Sequence, residues 1–247
     1  MQKGGTLENK MYDIHMHLIP GVDDGAASEK MAAEMFQMSR SQGVVGIFAT
    51  PHSSAFLWSF DRTMENYKVL QSLVKKQAKD LELYLGCEVY LENGGMDDII
   101  SALDAGRIPT MNGAKYVLSE FSPWTDAQSV VYCAERLICA GYLPIIAHAE
   151  RYNLIQGDED VIEKLREMGC LIQINVYSVY DEKNDQIRTW ANRLVAGKKV
   201  DFLGSDAHRT DHRPPIIESG LGYLYKTYDK AYIDRIALEN PRSLLIK

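Results

Sequence analysis

Histidine is the side chain that first points to chemistry in this sequence. There are six, and five of them close short apolar runs. In Asp13-Ile14-His15-Met16-His17 the two imidazoles stand one extended repeat apart. In a strand they share a face, while Ile14 and Met16 take the other. Two imidazoles so placed can grip one divalent ion. Val22-Asp23-Asp24-Gly25 follows, a turn carrying two carboxylates. Later runs close on Ala49-Thr50-Pro51-His52, Gly86-Cys87-Glu88, Ser119-Glu120-Phe121, Ala147-His148-Ala149-Glu150-Arg151 and Gly204-Ser205-Asp206-Ala207-His208. Strand alternation sets Cys87 opposite to Glu88 and puts Asp206 and His208 on one face. The candidate metal ligands are His15, His17, Asp24, His52, Glu88, Glu120, His148, Asp206 and His208. Any one of them alone is more often a structural histidine or a surface carboxylate. As a set they occupy equivalent positions, and structural roles would not sort them that way. Nitrogen and oxygen donors without sulfur suit Mn²⁺, Fe²⁺ or Zn²⁺. So many ligands exceed what one ion takes, so two or three ions are expected.

The runs that carry these residues read as strands: Tyr12–Leu18, Val44–His52, Leu81–Leu91, Tyr116–Phe121, Leu143–Glu150, Leu171–Val176 and Asp201–His208. Amphipathic segments lie between them: Ser28–Ser41, Asp61–Lys79, Met96–Leu103, Asp126–Ala140, Asp158–Met168 and Lys183–Gly197. Asp126 and Asp158 suit helix N-caps, and Gly43, Gly141, Gly169 and Gly197 suit left-handed C-terminal turns. Residues Ile216–Leu245 read as terminal helical packing, with Tyr223, Tyr225, Tyr228 and Tyr232 as packing or surface residues. Strands alternating with helices imply a parallel sheet with right-handed crossovers. The expected fold is α/β: a closed or nearly closed, distorted seven-stranded parallel barrel, preferred to an open doubly wound sheet. In such barrels the active site is built at the C-terminal strand ends, where these ligands fall.

Composition narrows the function class. Of the 247 residues, 46% are apolar and 25% charged, which suits a globular chain and excludes disorder or coiled coil. With 27 Lys+Arg against 34 Asp+Glu, the net charge of −7 offers no nucleic-acid footprint. Four sparse cysteines without a C-x-x-C pair read as reduced thiols of a cytoplasmic protein. No apolar run spans a membrane and no signal peptide is evident. Residues 1–10 read as a flexible tail and 11–247 as a single domain.

The series D-I-H-x-H, D-D-G, A-T-P-H, G-x-E, S-E-F-S, A-H-x-E-R-Y and S-D-A-H-x(4)-R-P-P, running from Tyr12 to about Pro215, resembles the polymerase-and-histidinol-phosphatase (PHP) superfamily. Within it the match is to the CpsB/CapC-type bacterial protein-tyrosine phosphatases. A-H-x-E-R-Y with the downstream R-P-P is the more specific part. The resemblance implies a metal-dependent hydrolase with a trinuclear site in a distorted seven-stranded barrel. His15, His17, Glu88 and Asp206 would surround one ion. Glu88 would bridge to a second, which also takes Glu120 and His148, and Asp24, His52 and His208 would hold the third. Mn²⁺ is the first expectation, with Fe²⁺ or Zn²⁺ as alternatives. Arg151 and Arg213 match the family's phosphate-binding arginines. The implied substrate is a tyrosine-phosphorylated protein, a membrane-associated bacterial tyrosine kinase governing capsule or exopolysaccharide export. The chain departs from the family at the Phe56–Phe60 stretch, which reads as an apolar loop, at Arg209 after the last metal histidine, and in residues 1–10.

The residues suit the phosphoryl transfer that the resemblance implies. Planar, permanently charged guanidinium forks complement phosphate oxygens, and divalent ions neutralise developing charge. Arg151 has an alternative role in a salt bridge with Glu150, and Arg213 as a solvated loop residue. A cysteine phosphatase needs Arg six positions after its nucleophile; those positions hold Asn93, Cys139, Ile145 and Val176. The Phe56–Phe60 segment, with Trp124, either clamps a phenyl ring or packs on outer helices. Two rivals stand beside the phosphotyrosine reading: a phosphatase for histidinol phosphate or nucleotides, and a non-catalytic metal-binding scaffold.

Overall fold

The apolar runs become eight short parallel strands in the computed structural model, which describes residues 9–246. These are β1 (Met11–Met16), β2 (Val44–Ala49), β3 (Glu82–Leu85), β4 (Glu88–Tyr90), β5 (Tyr116–Glu120), β6 (Leu143–Ile146), β7 (Leu171–Asn175) and β8 (Phe202–Gly204). One sheet has the order β1-β2-β3, the other β4-β5-β6-β7-β8. Residues 1–8 of the expected tail lie outside the described residues.

The seven expected strands are therefore eight, in two sheets, because Leu81–Leu91 breaks at Gly86-Cys87. The backbone there passes so close to its neighbours that a Cβ on Gly86 would lie 2.7 Å from Met111 Sδ and 2.9 Å from Thr50 Cγ2. After the break Cys87 enters the apolar core while Glu88 starts β4 on the polar side. Two isolated parallel bridges, Met16 with Ala207 and His52 with Glu88, link the sheets. These pairings establish a mixed α/β fold with parallel sheets; they do not by themselves establish a seven-stranded barrel.

Helices α1 (Glu29–Ser41), α2 (Ser53–Gln77), α3 (Met96–Asp104), α4 (Ala127–Cys139), α5 (Glu159–Glu167) and α6 (Asp185–Ala196) fill the crossovers. Asp126 and Asp158 do cap α4 and α5, accepting from the backbone N–H groups of Ser129 and Val161. The C-terminal segment forms α7 (Glu218–Thr227), α8 (Lys230–Asp234) and α9 (Asn240–Ser243). Apolar helix faces, such as Met35, Phe36, Leu137, Leu165 and Leu194, join strand residues Ile47, Val117, Ile146 and Ile172 in one core. Each such side chain contributes about 1.5–3 kcal/mol by leaving water.

Two local expectations fail. α2 starts at Ser53, not Asp61, and bends at Ser59 (φ −152°, ψ 53°). Phe56 is buried in the core, and Thr63 Oγ1 donates to Ala55 O across the bend, so Phe56–Phe60 is helix rather than loop. Gly197 has an ordinary φ of −75°; the left-handed turn falls on Lys198, at φ 55°. Among the described residues no helix is long and apolar enough to cross a membrane.

Candidate metal centre

Glu88, the first residue of β4, is 1% exposed and sits among four imidazoles. Its Oε1 lies 3.1 Å from His15 Nε2 and 3.0 Å from His148 Nε2. Its Oε2 lies 3.1 Å from His17 Nε2 and 3.1 Å from His52 Nδ1. Asp206 Oδ1 is 3.7 Å from the Nε2 atoms of both His15 and His17. Glu120 reaches His148 Nε2 at 3.8 Å and His52 Nδ1 at 3.5 Å. Asp24 Oδ1 lies 3.4 Å from His52 Nε2 and 3.6 Å from His208 Nε2. All the candidate ligands named from the sequence thus meet in one place. Their grouping is more shared than the carried-over assignment, since His17 also faces Asp24, His52 and His208, and His52 also faces Glu88 and Glu120.

The backbone achieves this with fewer extended residues than expected. β1, β6 and β8 stop at Met16, Ile146 and Gly204, so His17, His148, Asp206 and His208 stand on the turns beyond. His148 and Asp206 are left-handed, at φ 32° and 54°, as is Arg213 at 55°. Non-glycine residues held there cost about 1–3 kcal/mol each, a strain typical of functional sites. Asp206 and His208 do come together, but through a left-handed turn rather than strand alternation.

The donor set fits divalent cations. His15 Nε2 and His17 Nε2 are buried and have no hydrogen-bond partner, although carboxylate oxygens lie nearby. Buried ring nitrogens aimed into a carboxylate cluster are the mixed nitrogen and oxygen donors that a borderline or hard cation takes. The second nitrogens are held from behind: His17 Nδ1 lies 2.8 Å from Asp23 Oδ2, and His208 Nδ1 3.0 Å from Asp206 O. Asp23 also accepts the His52 and Gly25 backbone N–H groups. Asp13, behind His15, accepts the backbone N–H groups of His15 and Ser205, and burial lifts its carboxyl to about 6.

Charges in the metal-free cluster are strongly coupled. Burial opposes ionisation of Glu88, but the charge on His15 and the hydrogen bonds from the imidazoles hold its carboxyl well below the usual range. Asp206 is likewise held low, against burial, by His15, His148 and Arg213. Burial and the neighbouring Glu88 charge raise Glu120. Burial, then the charge of His17, pushes His208 down to about 3, which keeps it neutral as a ligand must be.

Arg151 Nη1 donates to Asp206 Oδ2 at 2.8 Å. Arg213 Nη2 donates to the same oxygen, and Arg213 Nη1 donates to His208 Nε2 at 3.1 Å. The alternative pairing of Arg151 with Glu150 does not form. Glu150 is buried and accepts instead from Ser178 Oγ at 2.7 Å and the Asn175 N–H at 3.1 Å. Both arginines line a cleft of about 340 Å³ whose floor is His52, Glu88, Glu120 and His148 and whose wall includes Pro123, Asn153 and Ile187. No residue of Phe56–Phe60 reaches it. Trp58 borders a separate cavity of about 310 Å³ beside Asp24 and Arg62. Arg209 makes only an exposed pair with Asp211.

Sequence reading missed Asp13, Asp23, Gln173 and Asn175 as site residues. Asp13 shares the strand face of His15, and Asp23 stands next to Asp24. Gln173 and Asn175 are the buried polar positions of β7, alternating with Ile172 and Ile174. That alternation was legible in the one strand otherwise lacking charged chemistry.

Comparison with known proteins places the chain. The family model described as "Capsular polysaccharide synthesis, CpsB/CapC" matches residues 11–246. Tyrosine-protein phosphatase CpsB of Streptococcus pneumoniae is 30% identical over 243 residues, covering 96% of this chain and 98% of the relative. Tyrosine-protein phosphatase YwqE of Bacillus subtilis is 29% identical over 224 residues, covering 88% and 85%. A solved structure from work on YwqE and CpsB, described as unique metal-dependent tyrosine phosphatases, superposes with a TM-score of 0.83 at 27% identity, covering 95% of this chain and 94% of that one. The matched span takes in every candidate ligand and both arginines described above, and the chain belongs to the CpsB/CapC family.

Proposed function

We propose that this protein is a metal-dependent protein-tyrosine phosphatase acting on a bacterial tyrosine kinase that governs capsular or exopolysaccharide synthesis and export. The observation that carries the reading is Glu88: one buried carboxylate with imidazole nitrogens at 3.0–3.1 Å on both oxygens, at the floor of a cleft that two arginines rim. Two or three divalent ions, with Mn²⁺ first, would be held by His15, His17, Asp24, His52, Glu88, Glu120, His148, Asp206 and His208. Bound there, they supply Lewis acidity, lowering the pKa of water and drawing charge from phosphoryl oxygens.

The protein's own part is positioning. Arg151 and Arg213 share Asp206 Oδ2, and Arg213 also reaches His208 Nε2, so Arg151 is pinned by one nitrogen and Arg213 by two while their remaining N–H groups are available to phosphate. Pinning removes conformational freedom before substrate arrives. Pro123 and Ile187 give the cleft an apolar side against which a phenyl ring packs. A phenol with a pKa of about 10 leaves with less protonation than an alkoxide requires. The substrate's aryl ring is thus read by this wall, and Phe56–Phe60 has no part in it.

The same reading takes residues 11–247 as one phosphatase domain in the cytoplasm. It takes β3 and β4 as one interrupted strand of a distorted seven-stranded barrel, supported by the bridges Met16–Ala207 and His52–Glu88. The test is a rate comparison between a phosphotyrosine peptide, histidinol phosphate and a nucleotide, with chelation and Mn²⁺ re-addition. Metal-restored preference for the phosphopeptide is expected. Preference for a small metabolite moves the assignment to that substrate class. Absence of turnover on all three with metal bound leaves a scaffold.

A further inference from the structure

β7 carries none of the candidate ligands, yet its two buried polar side chains touch three ligand-bearing segments. Gln173 and Asn175 are both fully buried. Gln173 Oε1 accepts the His148 backbone N–H at 2.8 Å and lies 3.2 Å from His15 Nδ1. Gln173 Nε2 donates to Asn175 Oδ1 at 3.1 Å, and Asn175 Nδ2 donates to Asp206 Oδ2 at 3.1 Å.

The proton positions along this chain follow from its two ends. A backbone N–H can only donate, so the atom of Gln173 facing His148 is the carbonyl oxygen. That oxygen also faces His15, so His15 Nδ1 carries a proton, and in the neutral ring Nε2 is then the lone-pair nitrogen. At the other end Asp206 Oδ2 already accepts from the Arg151 and Arg213 guanidinium groups, which can only donate, so Asn175 presents its NH₂ there and its oxygen to Gln173. Each amide orientation is fixed twice, and a flip of either would set donor against donor.

We infer that Gln173 and Asn175 are positioning residues that hold His15 in its Nδ1–H tautomer and turn Asp206 Oδ1 toward the cluster; this rests on reading the cluster as a metal centre. Asp206 Oδ2 is taken by Asn175, Arg151 and Arg213, which leaves Oδ1 facing His15 and His17 at 3.7 Å. An amide suits this place better than a carboxylate. It accepts from His15 without adding charge beside Glu88, Glu120 and Asp206, and it can pass a donor on to Asn175. His17 shows the contrast, with the carboxylate of Asp23 behind it. Gly204 supplies the room: a Cβ there would lie 2.7 Å from His15 Cβ and 3.0 Å from Gln173 Nε2.

The test combines nitrogen NMR of the histidine rings in metal-free protein, at a pH that leaves imidazoles neutral, with Mn²⁺ titration of the full chain. In the wild type His15 should be the Nδ1–H tautomer. Gln173→Met should mix the tautomers and weaken Mn²⁺ binding about 10–100-fold. Gln173→Glu restores the acceptor but not the donor, so the tautomer should return while affinity stays below wild type. Asn175→Ala leaves His15 its partner and should keep the tautomer while lowering affinity. Metal-free melting curves show which variants fold, and the wild-type spectrum needs no variant. An Nε2–H tautomer in the wild type, or wild-type affinity in folded Gln173→Met, overturns the inference. If the wild type shows the Nδ1–H tautomer yet binds no Mn²⁺, the metal-centre reading fails while the relay stands.

Discussion

The inner and outer halves of the cluster are built differently. Glu88 is 1% exposed and Asp206 2%, and His15, His17 and His148 are buried with them. Three of these five are held from behind: His15 by Gln173, His17 by Asp23, and Asp206 by Asn175 and two arginines. In the outer half Asp24 is 66% exposed, His52 28% and Glu120 22%. Asp24 approaches His52 and His208 across 3.4–3.6 Å, with His17 farther off. Burial and second partners raise affinity by removing the cost of ordering ligands at the moment of binding. The inner half should therefore keep its metal when the outer half has lost it.

The largest effect that separates the halves is expected from Glu88→Ala. It removes the carboxylate common to two of the ligand groupings and leaves four imidazoles without their shared counter-charge. Metal content measured by elemental analysis should collapse and phosphotyrosine hydrolysis with it, beyond the roughly 10–100-fold that loss of an outer-shell partner costs. Retention of the full metal complement would remove Glu88 from its bridging role.

Next come the arginines at the rim. Arg151→Ala and Arg213→Ala should each lower kcat/KM about ten- to a thousandfold, the scale of one preorganised donor, with metal content unchanged. Either arginine still pins Asp206 when the other is gone. Arg151→Lys should recover only part, because an ammonium lacks the fork. Normal kinetics in both Ala variants would mean that phosphate is held without them.

A smaller effect is expected of Asp24→Ala, which should loosen the outer ion alone. The Mn²⁺ concentration for half-maximal rate should rise while the tightly held metal remains. Equal loss of metal from Asp24→Ala and Glu88→Ala would erase the difference between the halves.

How far the site was legible depends on how local each cause was. His15 and His17 were readable because their shared face needs only one short strand. Glu88 was readable as a residue, but the break that aims it is set by Met111 and Thr50, far away in sequence. Asp206 and His208 were grouped for a reason that does not hold, since a left-handed residue replaces the strand. Gln173 and Asn175 escaped notice because neutral amides inside an apolar run carry no charge signal. Phe56 looked like loop because the bend at Ser59 breaks the helical period. The partner of Arg151 lies 55 residues away, on another strand end, where neighbour-based reading proposed Glu150.

The smallest effect should come from the thiols. Burial pushes Cys133 up to about 11 and Cys170 to about 12, and burial beside Glu88 lifts Cys87 well above the usual thiol range. A raised folded-state value keeps the thiol protonated; that contribution to stability is complete below the free thiol's 9.0 and is lost as pH rises through 11–12. At neutral pH alkylation should reach exposed Cys139, spare the buried three and leave turnover intact. Mass mapping with a parallel assay checks this, and inactivation with metal still bound would contradict it.

The account's central claim is a metal centre whose inner half binds tightly and whose outer half exchanges. Graded chelation, with metal per chain and phosphotyrosine-peptide hydrolysis followed on the same samples, tests it most directly. The expected result is two steps: a weakly held ion leaves first and rate falls, a tight fraction persists, and Mn²⁺ restores the rate. Full hydrolysis by protein stripped of all metal would contradict the account.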